Sequence, residues 1–400
     1  MAEILFKRVF HPVGHGAFFT EQFIDPLSGI VLFNAVYDCG SMKASIVDRI
    51  HHISDKLYRN TREIDVLFLS HFDDDHVKCV DYLVEKHYLN GATIFIPLLK
   101  ELSFIGVPPY YDNYLRIRSL NNHNGIKVVR INIDITDRIP DKQTAIEDIQ
   151  DEIINSGTKL SSRSLDYIWC YVPFNICNNE ILTIFKDKVR AKDLFFEKLQ
   201  DPSYALSSEV KKKIKEVYKE MEGKPKGNTI INFNSLQVLS FPMKTWYCKE
   251  YSRYSTCHIY FEDYYRWNKG YTKYKFDDEL LYPGSCLYTG DTSANVDMVW
   301  KRLLNVIDFY LIDDKQRNRK LVLFQIPHHG SSKSNDDRPI NKREIYAAFV
   351  NYGNFRGNCI FNYNYAIDFG IKHKPLIQVT EKELTQFEEH WILNKQYGDD

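Results

Sequence analysis

The segment LFLSHFDDDHVKCVDYL, residues 67–83, places two histidines and three aspartates within six consecutive positions, directly after an apolar run. Carboxylates this close repel one another, so a cation among them would stabilise the arrangement. In a tight turn, alternate side chains of the pattern His-x-Asp-x-Asp-His can converge on one point; the pattern is formed here by His71, Asp73, Asp75 and His76. Imidazole and carboxylate together suit zinc, manganese or iron, whereas calcium prefers oxygen ligands. The alternative is a polar turn whose aspartate caps the helix starting near Val77.

Two later turns carry the same kinds of ligand. CLYTGDTS places Asp291 after an apolar strand, and VLFQIPHHGSSKS places His328 and His329 after another. Taken singly, Asp291 could cap a helix and the histidines could form a buried hydrogen-bonded pair. Taken together, three ligand-bearing turns that each follow a buried strand would lie along one edge of a sheet. We therefore expect them to surround one metal ion or two.

The elements that must position these turns alternate between strands and helices, which predicts an α/β (α+β) fold. The opening reads as two strands, EILFKRVFHPVG and IVLFNAVYDCGS, flanking a loop, and then a helix, KASIVDRIHHISDKL. The apolar run IDVLFLS predicts a buried strand directly before the His/Asp turn, and VKCVDYLVEKH predicts a helix after it. Further strands are expected at GATIFIPL, IKVVRINID, YIWCYVPF, TIINFNSLQVLSF, SCLYTGD and KLVLFQIPHHG, and near YAAFVNYG.

Two segments look like additions to a single domain that spans residues 1–400. A helical insertion is expected over 141–226, with an acidic amphipathic helix at 141–155 and a mildly basic helical stretch over 181–222. The basic stretch is either a solvated helix face or a nucleic-acid surface. The second addition, 244–282, is rich in tyrosine, which can stack on bases but more often packs in cores and lids.

The composition of the chain limits which partners and which cellular location are expected. The chain has 52 Lys and Arg against 53 Asp and Glu, so no overall field favours nucleic acid or membrane. We see neither a secretory signal nor a membrane span, and we expect a cytoplasmic protein that does not act at a membrane. The eight cysteines form no CxxC motif, which fits reduced, buried thiols better than a disulfide framework or a zinc ribbon.

Taken in order, these motifs resemble the metallo-β-lactamase superfamily of hydrolases, in the branch related to the ComEC/Rec2 DNA-uptake proteins. The matching segments are VGHGAFF at 13–19, VYDCGS at 36–41, LSHFDDDH at 69–76, NSLQVLSF at 234–241, LYTGD at 287–291, PHHGSSKS at 327–334 and KHKP at 372–375. That branch carries Asp where the wider superfamily has the second His of His-x-His-x-Asp-His. The resemblance implies an αββα sandwich with a dinuclear metal site, hydrolysing its substrate with metal-activated water.

Carried over residue by residue, the resemblance implies that His71 and Asp73 bind one divalent ion. Asp75 and His76 would bind the other, and Asp291 would bridge both. The expected ions are two Zn²⁺, with manganese or iron as alternatives. Asp75 would also orient or deprotonate the attacking water.

The remaining implied site residues are three histidines. One of His328 and His329 would complete the ligand set and the other would contact the substrate or leaving group, with the order open. His373 aligns with the closing histidine of the family, although a longer stretch than usual precedes it. The wider superfamily has another ligand histidine before the bridging aspartate, for which this chain offers only His123 and His258, neither in a recognisable motif.

The resemblance favours a phosphodiesterase or nuclease, acting on a phosphodiester such as DNA or RNA. A second possibility is another hydrolase of the superfamily, such as a lactonase, phosphorylcholine esterase or thioesterase. A third is a non-catalytic interaction or sensing module, which predicts missing ligands, whereas this chain retains the aspartates and histidines of each motif. A shared fold does not select among them.

Overall fold

The computed structural model describes residues 3–98, 108–134, 143–176, 179–194, 207–221, 235–243, 246–255, 271–274, 281–292, 297–311, 320–331, 345–351 and 376–395. The strands are β1 Glu3–Phe10, β2 Gly16–Ile24, β3 Val31–Ser41, β4 Val66–Phe68, β5 Thr93–Pro97, β6 Lys127–Ile131, β7 Ile133–Asp134, β8 Gln143–Ala145, β9 Ile153–Ile154, β10 Lys159–Ser161, β11 Trp169–Ile176, β12 Leu236–Pro242, β13 Trp246–Ser255, β14 Tyr271–Tyr274, β15 Leu281–Tyr288, β16 Lys320–Gln325, β17 Ile345–Asn351, β18 Leu376–Val379 and β19 Phe387–Lys395. The helices are α1 Ala44–Tyr58, α2 Asp74–Val77, α3 Val80–Glu85, α4 Pro108–Ser119, α5 Asn179–Arg190, α6 Ser208–Met221 and α7 Asp297–Leu311.

These strands form two mixed sheets. The first runs β14-β13-β19-β1-β2-β3-β4-β5-β6-β9, and the second runs β18-β17-β16-β15-β12-β11-β10-β8, with β7 paired to β11. In the first sheet β3, β4, β5 and β6 are parallel, and in the second β15, β16, β17 and β18 are parallel. Each sheet therefore has a parallel part whose strands end at one common edge.

The core follows the alternation of side chains along the strands. In β4, Val66 and Phe68 belong to the apolar core between the two sheets, whereas Leu67 belongs to a second core shared with α1, α3, α4, α5 and α6. In β15, Tyr288 faces the same inter-sheet core, and Leu287 packs with α7 on the far side of the second sheet. The order helices, sheet, sheet, helix is an αββα sandwich, so the expected fold class is confirmed.

A buried ionic network joins the two sheets beside this core. The guanidinium of Arg8 in β1, which has no exposed surface, donates to Glu21 Oε1 at 2.7 Å and to Glu389 Oε2 at 3.0 Å. It also donates to the carbonyl of Gly284 in the second sheet at 2.7 Å. Removing one partner of such a buried pair costs about 3–5 kcal/mol, because the other charge is left uncompensated. Arg8 thus fixes β1, β2 and β19 against β15.

Two sequence-based expectations about these elements are wrong. The stretch GAFFTEQFI, expected as a loop, is strand β2, and its polar residues are buried because Glu21 pairs with Arg8 and Thr20 Oγ1 lies 2.9 Å from His11 Nε2. The helix expected over 141–155 is replaced, from residue 143 onward, by β8, a 3₁₀ turn at Ile146–Asp148 and β9. Ile146 packs in the inter-sheet core, while β9 pairs along the edge of β6, which the helix could not do.

The other predicted additions are described in part. Helices α5 and α6 fall within the stretch 181–222 that was expected to be helical, apart from the first residues of α5. From the tyrosine-rich segment, β13 and β14 extend the first sheet beyond β19, and residues 256–270 lie outside the described ranges. That 141–226 and 244–282 are insertions into one domain stays a prediction. Within the described ranges no helix is both long and apolar enough to cross a membrane.

Candidate metal centre

The predicted ligand residues come together at the edge where the parallel strands of both sheets end. The turn with His71 and His76 follows β4, Asp291 follows β15, and the pair His328 and His329 follows β16. Loops that follow parallel strands share one edge of a sheet, which is a common location for binding sites. Two hydrogen bonds join the edges directly: the amide of residue 236 donates to the carbonyl of residue 70 at 2.7 Å, and Tyr37 Oη donates to the carbonyl of residue 236 at 2.7 Å.

The carboxylate of Asp291 lies between two pairs of imidazoles. Its Oδ2 atom is 3.8 Å from Nε2 of His71 and 3.8 Å from Nε2 of His328. Its Oδ1 atom is 3.5 Å from Nε2 of His76 and 3.8 Å from Nε2 of His329. Each oxygen of one carboxylate therefore faces a different histidine pair, as expected for a group that bridges two ions.

Two further carboxylates each face different histidines of the cluster. Asp73 Oδ2 lies 3.5 Å from His71 Nε2, whereas Asp75 Oδ2 lies 3.3 Å from His329 Nε2 and 3.8 Å from His76 Nε2. We call the two groups position A, formed by His71, Asp73, His328 and Asp291 Oδ2, and position B, formed by Asp75, His76, His329 and Asp291 Oδ1. The positions adjoin, because one donor atom each of His71, His76 and Asp291 lie within 4.8 Å of one another, as do those of His71, Asp73 and Asp75.

Unpartnered imidazole nitrogens show that these residues fit metal ions. The Nε2 atoms of His71, His76 and His329 are buried and make no hydrogen bond of good geometry, although carboxylate oxygens face them at 3.3–3.5 Å. A buried polar atom without a partner costs roughly 1–3 kcal/mol, so three at one place need an explanation. A divalent ion supplies it, because four ligands at 2.0–2.2 Å in a tetrahedron are separated from one another by roughly 3.4 Å. The distances of 3.3–3.8 Å between donor atoms match that spacing.

Hydrogen bonds behind the imidazoles direct their Nε2 atoms into the site. His76 Nδ1 lies 2.8 Å from Asp38 Oδ2, and His71 Nδ1 lies 2.9 Å from Ser70 Oγ. Asp38 in turn accepts from the backbone amide of Ser70 at 2.7 Å and from its hydroxyl at 2.7 Å. A carboxylate or hydroxyl behind a histidine fixes the ring orientation and the position of its proton. Asp38 and Ser70 thus orient one histidine of each position.

The turn that carries Asp291 is held by the second sheet. The side-chain oxygen of Gln325 accepts from the amides of Thr289 at 2.8 Å and Gly290 at 3.2 Å. The amide of Asp291 donates to Ser235 Oγ at 3.2 Å. These bonds anchor the backbone on both sides of the bridging carboxylate, so its two oxygens keep a defined orientation.

Two glycines allow the turns to approach each other closely. A Cβ atom at Gly40 would lie 2.6 Å from the carbonyl oxygen of Asp74, inside the turn that carries the ligands. At Gly290 the backbone has φ +54°, and a Cβ atom would lie 2.6 Å from Cβ of Ser70. Side chains larger than hydrogen would push the β3 end and the Asp291 turn away from the ligand turn. His328 and His329 also have positive φ, each 50°, which is uncommon for histidine and marks a strained turn.

Electrostatics within the cluster favours ionised carboxylates. Burial alone would raise the pKa of Asp291, but the four surrounding histidines hold it below its ordinary value. Burial likewise opposes ionisation of Asp75, yet His76 and His329 hold its pKa well below the ordinary range. Burial would lower the pKa of His71, but Asp73, Asp291 and Asp75 outweigh it and raise that pKa to about 9. Metal ions bind neutral imidazole, so an ion at position A must displace this proton.

The structure brings together seven of the predicted site residues: His71, Asp73, Asp75, His76, Asp291, His328 and His329. The resemblance implied that His71 and Asp73 bind one ion and Asp75 and His76 the other, and this division stays a prediction, because the donor atoms of His71, Asp73 and Asp75 also lie within 4.8 Å of one another. The histidine pair, which sequence could not assign, contributes one imidazole to each position. His123 is exposed in a 3₁₀ turn at His123–Gly125 and does not belong to the cluster, and His373 and His258 lie outside the described residues.

Sequence reasoning missed three residues of the site. Asp38 and Ser70 lie behind the imidazoles, and His15 reaches Asp75 from the loop between β1 and β2, with its Nε2 atom 3.4 Å from Asp75 Oδ2. His15 and Asp38 stand within motifs that were recognised only as part of a family resemblance, whereas Ser70 directly precedes the His/Asp turn. The available signals were an aspartate at position 38, two positions before Gly40 in an apolar strand, and a histidine flanked by two glycines at His15.

Comparisons with known proteins add little to this geometry. No protein-family model and no curated protein sequence matches the chain. Among solved structures, the chain is similar to the crystal structure of the metallo-beta-lactamase fold protein YhfI from Bacillus subtilis, at 12% identity and a TM-score of 0.24. The similarity covers 44% of this chain and 54% of that chain, so the chain matches about half of the length of YhfI. At this TM-score the likeness supports no inference, and the fold assignment rests on the two sheets and their helices.

Proposed function

We propose that the chain is a metal-dependent hydrolase that cleaves phosphodiester bonds, with DNA or RNA as the substrate class. The observation that carries the proposal is the carboxylate of Asp291, whose two oxygens face separate histidine pairs. Two divalent ions bound there would lower the pKa of a bound water and offset negative charge on both the attacking and the leaving oxygen of a phosphoryl group.

Residues of the chain would orient the attacking water and the ligand imidazoles. Asp75 is ionised at neutral pH, because its pKa lies well below the ordinary value, so it can accept a hydrogen bond from the attacking water. As the new P–O bond forms and the ester P–O bond breaks, Asp75 holds the water in position, and the proton that the water loses ends on the departing ester oxygen. Asp38 and Ser70 keep the imidazoles of His76 and His71 oriented throughout.

The site opens to solvent on the side of position A. The side chain of Asp73 is 41% exposed and that of His328 is 18% exposed, whereas His76 and Asp75 are 1% and 9% exposed. A substrate phosphate can therefore approach over Asp73 and His328. The opposite side of the cluster is packed against the β3 end, where Gly40 contacts the ligand turn.

Two described lysines of α5 and α6 are paired with carboxylates of the same two helices. Lys213 pairs with Glu209 at 3.2 Å within α6, and Lys188 pairs with Glu220 at 3.4 Å. Exposed pairs of this kind contribute little stability, but they leave these lysines less free to bind phosphate. The expectation of a solvated helix face therefore fits these two lysines better than a nucleic-acid surface. Attraction of an anionic substrate is assigned to the metal ions themselves.

The test is a screen of purified protein with zinc, manganese and iron against plasmid DNA, RNA, bis-p-nitrophenyl phosphate, simple esters and lactones. We expect cleavage of phosphodiesters and loss of this activity in Asp75→Asn, while the exposed control Asp151→Asn retains it. Cleavage of esters or lactones with phosphodiesters left intact would replace the proposal by another hydrolase class. Binding of metal without any turnover would favour a non-catalytic module.

A further inference from the structure

A third imidazole reaches position B from a part of the chain that the metal motifs do not include. His15 lies in the loop between β1 and β2, and its Nε2 atom is 3.4 Å from Asp75 Oδ2. Its ring centroid is 4.4 Å from that of His329, and donor atoms of His15, Asp75 and His329 all lie within 4.8 Å of one another. We propose that His15 is a ligand of the ion at position B, an inference that rests on the metal centre of the proposed function.

The backbone on both sides of His15 is built to hold the ring there. Gly14 has φ +62°, a conformation that side chains rarely adopt, and a Cβ atom at Gly16 would lie 2.3 Å from the carbonyl oxygen of Gly40. Ser41 Oγ donates to the carbonyl of His15 at 3.3 Å. The loop is thereby fastened to the β3 end, the same segment that supports the ligand turn. A histidine held between two glycines that cannot be replaced freely is fixed relative to Asp75.

Asn351 in strand β17 connects the loop that carries His15 to the ring of His329. Asn351 Nδ2 donates to the carbonyl of Gly16 at 3.4 Å, and His329 Nδ1 donates to the carbonyl of Asn351 at 3.1 Å. One residue thus fastens both the loop of His15 and the ring of His329. The two imidazoles are therefore positioned together beside Asp75.

With His15 included, the two positions differ in ligand number and in exposure. Position B then has three imidazoles and two carboxylates, whose side chains are between 1% and 15% exposed. From the described residues, position A has two imidazoles and two carboxylates, and one of them, Asp73, is 41% exposed. An enclosed site with more ligands retains its ion, whereas an open site leaves a coordination position for water or substrate. The ion at B is therefore the tightly held one, and the ion at A exchanges.

A competing interpretation is that His15 only orients Asp75 through a hydrogen bond. Loss of such an outer residue typically weakens metal binding by about 10–100-fold. Loss of a direct ligand should weaken it by more than about 100-fold, and a glutamine that can still donate a hydrogen bond should not restore the affinity. Metal affinity thus separates a ligand from a positioning residue without reference to turnover.

The experiment measures zinc affinity by competition with a chromophoric chelator, and zinc content by elemental analysis. Wild type, His15→Ala, His15→Gln and the exposed control His52→Ala are compared, and Asp73→Asn serves as the variant of position A. We expect two zinc ions in wild type, one tight and one weak. Both His15 variants should weaken the tight ion by more than about 100-fold, and Asp73→Asn should weaken only the other. Circular dichroism of the metal-free variants checks that each is folded.

The outcomes separate this inference from the function on which it rests. If His15→Gln binds the tight ion as wild type does, or His15→Ala weakens it less than about 100-fold, His15 is not a ligand, and the hydrolase proposal stands. If wild type binds no zinc, manganese or iron, both proposals fall. If Asp73→Asn weakens binding of the tight ion, and the His15 variants weaken binding of the loose ion, then the tight ion is not the one at position B.

Discussion

Nδ1 of His76 lies 2.8 Å from Oδ2 of Asp38, a fully buried carboxylate in strand β3 that belongs to neither metal position. Because Asp38 also accepts both hydrogen bonds of Ser70, it orients the ligand turn as well as the ring. The geometry of the metal centre therefore depends on a residue that is not itself a ligand.

Replacing Asp38 by Asn keeps its size but removes the charge that fixes the His76 ring. We expect metal affinity to fall by about 10–100-fold, as for other carboxylates behind a ligand histidine. The measurement is competition with a chelator at constant pH. Asp65→Asn is the control, since Asp65 is another largely buried carboxylate, hydrogen-bonded to Arg62 away from the site, and its variant should bind metal normally. Equal affinities of the two variants would contradict the role of Asp38.

Asp291→Asn should weaken both ions. Each oxygen of the carboxylate faces one histidine pair, so loss of its charge is felt at both positions. Calorimetric titration should show two weakened equivalents, whereas Asp73→Asn should weaken one. A titration of Asp291→Asn in which one equivalent keeps its wild-type affinity would rule out the bridging arrangement. Asp151→Asn again provides the exposed control.

In the metal-free protein, stability should be highest near pH 6.5 and fall on either side. His71 has a pKa raised from 6.5 to about 9, because nearby carboxylates outweigh burial, so its stabilising contribution is complete below pH 6.5 and is lost as the pH rises through 9. Burial lowers the pKa of His15 from 6.5 to about 4, so its contribution is lost as the pH falls from 6.5 towards 4.

Chemical denaturation of chelator-treated protein between pH 4 and pH 10 measures this profile. His71→Gln should flatten the alkaline side only, which identifies the group responsible. A free energy of unfolding that stays constant between pH 6.5 and 9 would show that His71 is not protonated in the metal-free cluster.

Gly290→Ala should destabilise the fold as well as the site. The positive φ costs about 1–2 kcal/mol for a residue with a Cβ atom, and the contact with Ser70 at 2.6 Å adds about 1–3 kcal/mol. Gly29→Ala is a matched control, because Gly29 has φ +71° with nothing within 4 Å of its Cβ position. The difference between the two free energies of unfolding isolates the steric contact. Equal losses would mean that the Asp291 turn moves away from Ser70 without cost.

The ligand-bearing turns were predictable because each follows an apolar run, and buried parallel strands end at a common edge. His15 was not, since a lone histidine between glycines has no neighbouring ligand in sequence, and its meeting with Asp75 depends on pairing between distant strands. Asp38 was hidden for the same reason: its partner His76 is 38 positions away.

The errors in secondary structure have a similar origin. Residues 141–155 show helical spacing of isoleucines, yet Ile146 and Ile149 are buried in the inter-sheet core by a 3₁₀ turn and the flanking backbone. Strand β2, expected as a loop, carries the buried charge of Glu21, which is neutralised by Arg8, a pairing that no local pattern reveals. Local periodicity fails where an edge strand or a distant charge supplies the partner.

The position of β19 constrains the order in which the molecule can fold during synthesis. In the first sheet β19 pairs with β1, and Glu389 of β19 neutralises Arg8 of β1. Arg8 and Glu389 are 381 positions apart in the chain, so β1 can pair with β2 early but meets β19 only after the residues between them have been synthesised. Until then the edge of β1 opposite β2 is unpaired and Arg8 has Glu21 but not Glu389 as a partner, and contacts of such sequence separation form slowly. Nascent chains should therefore expose this edge of β1, which chaperones can shield, until β19 has been synthesised.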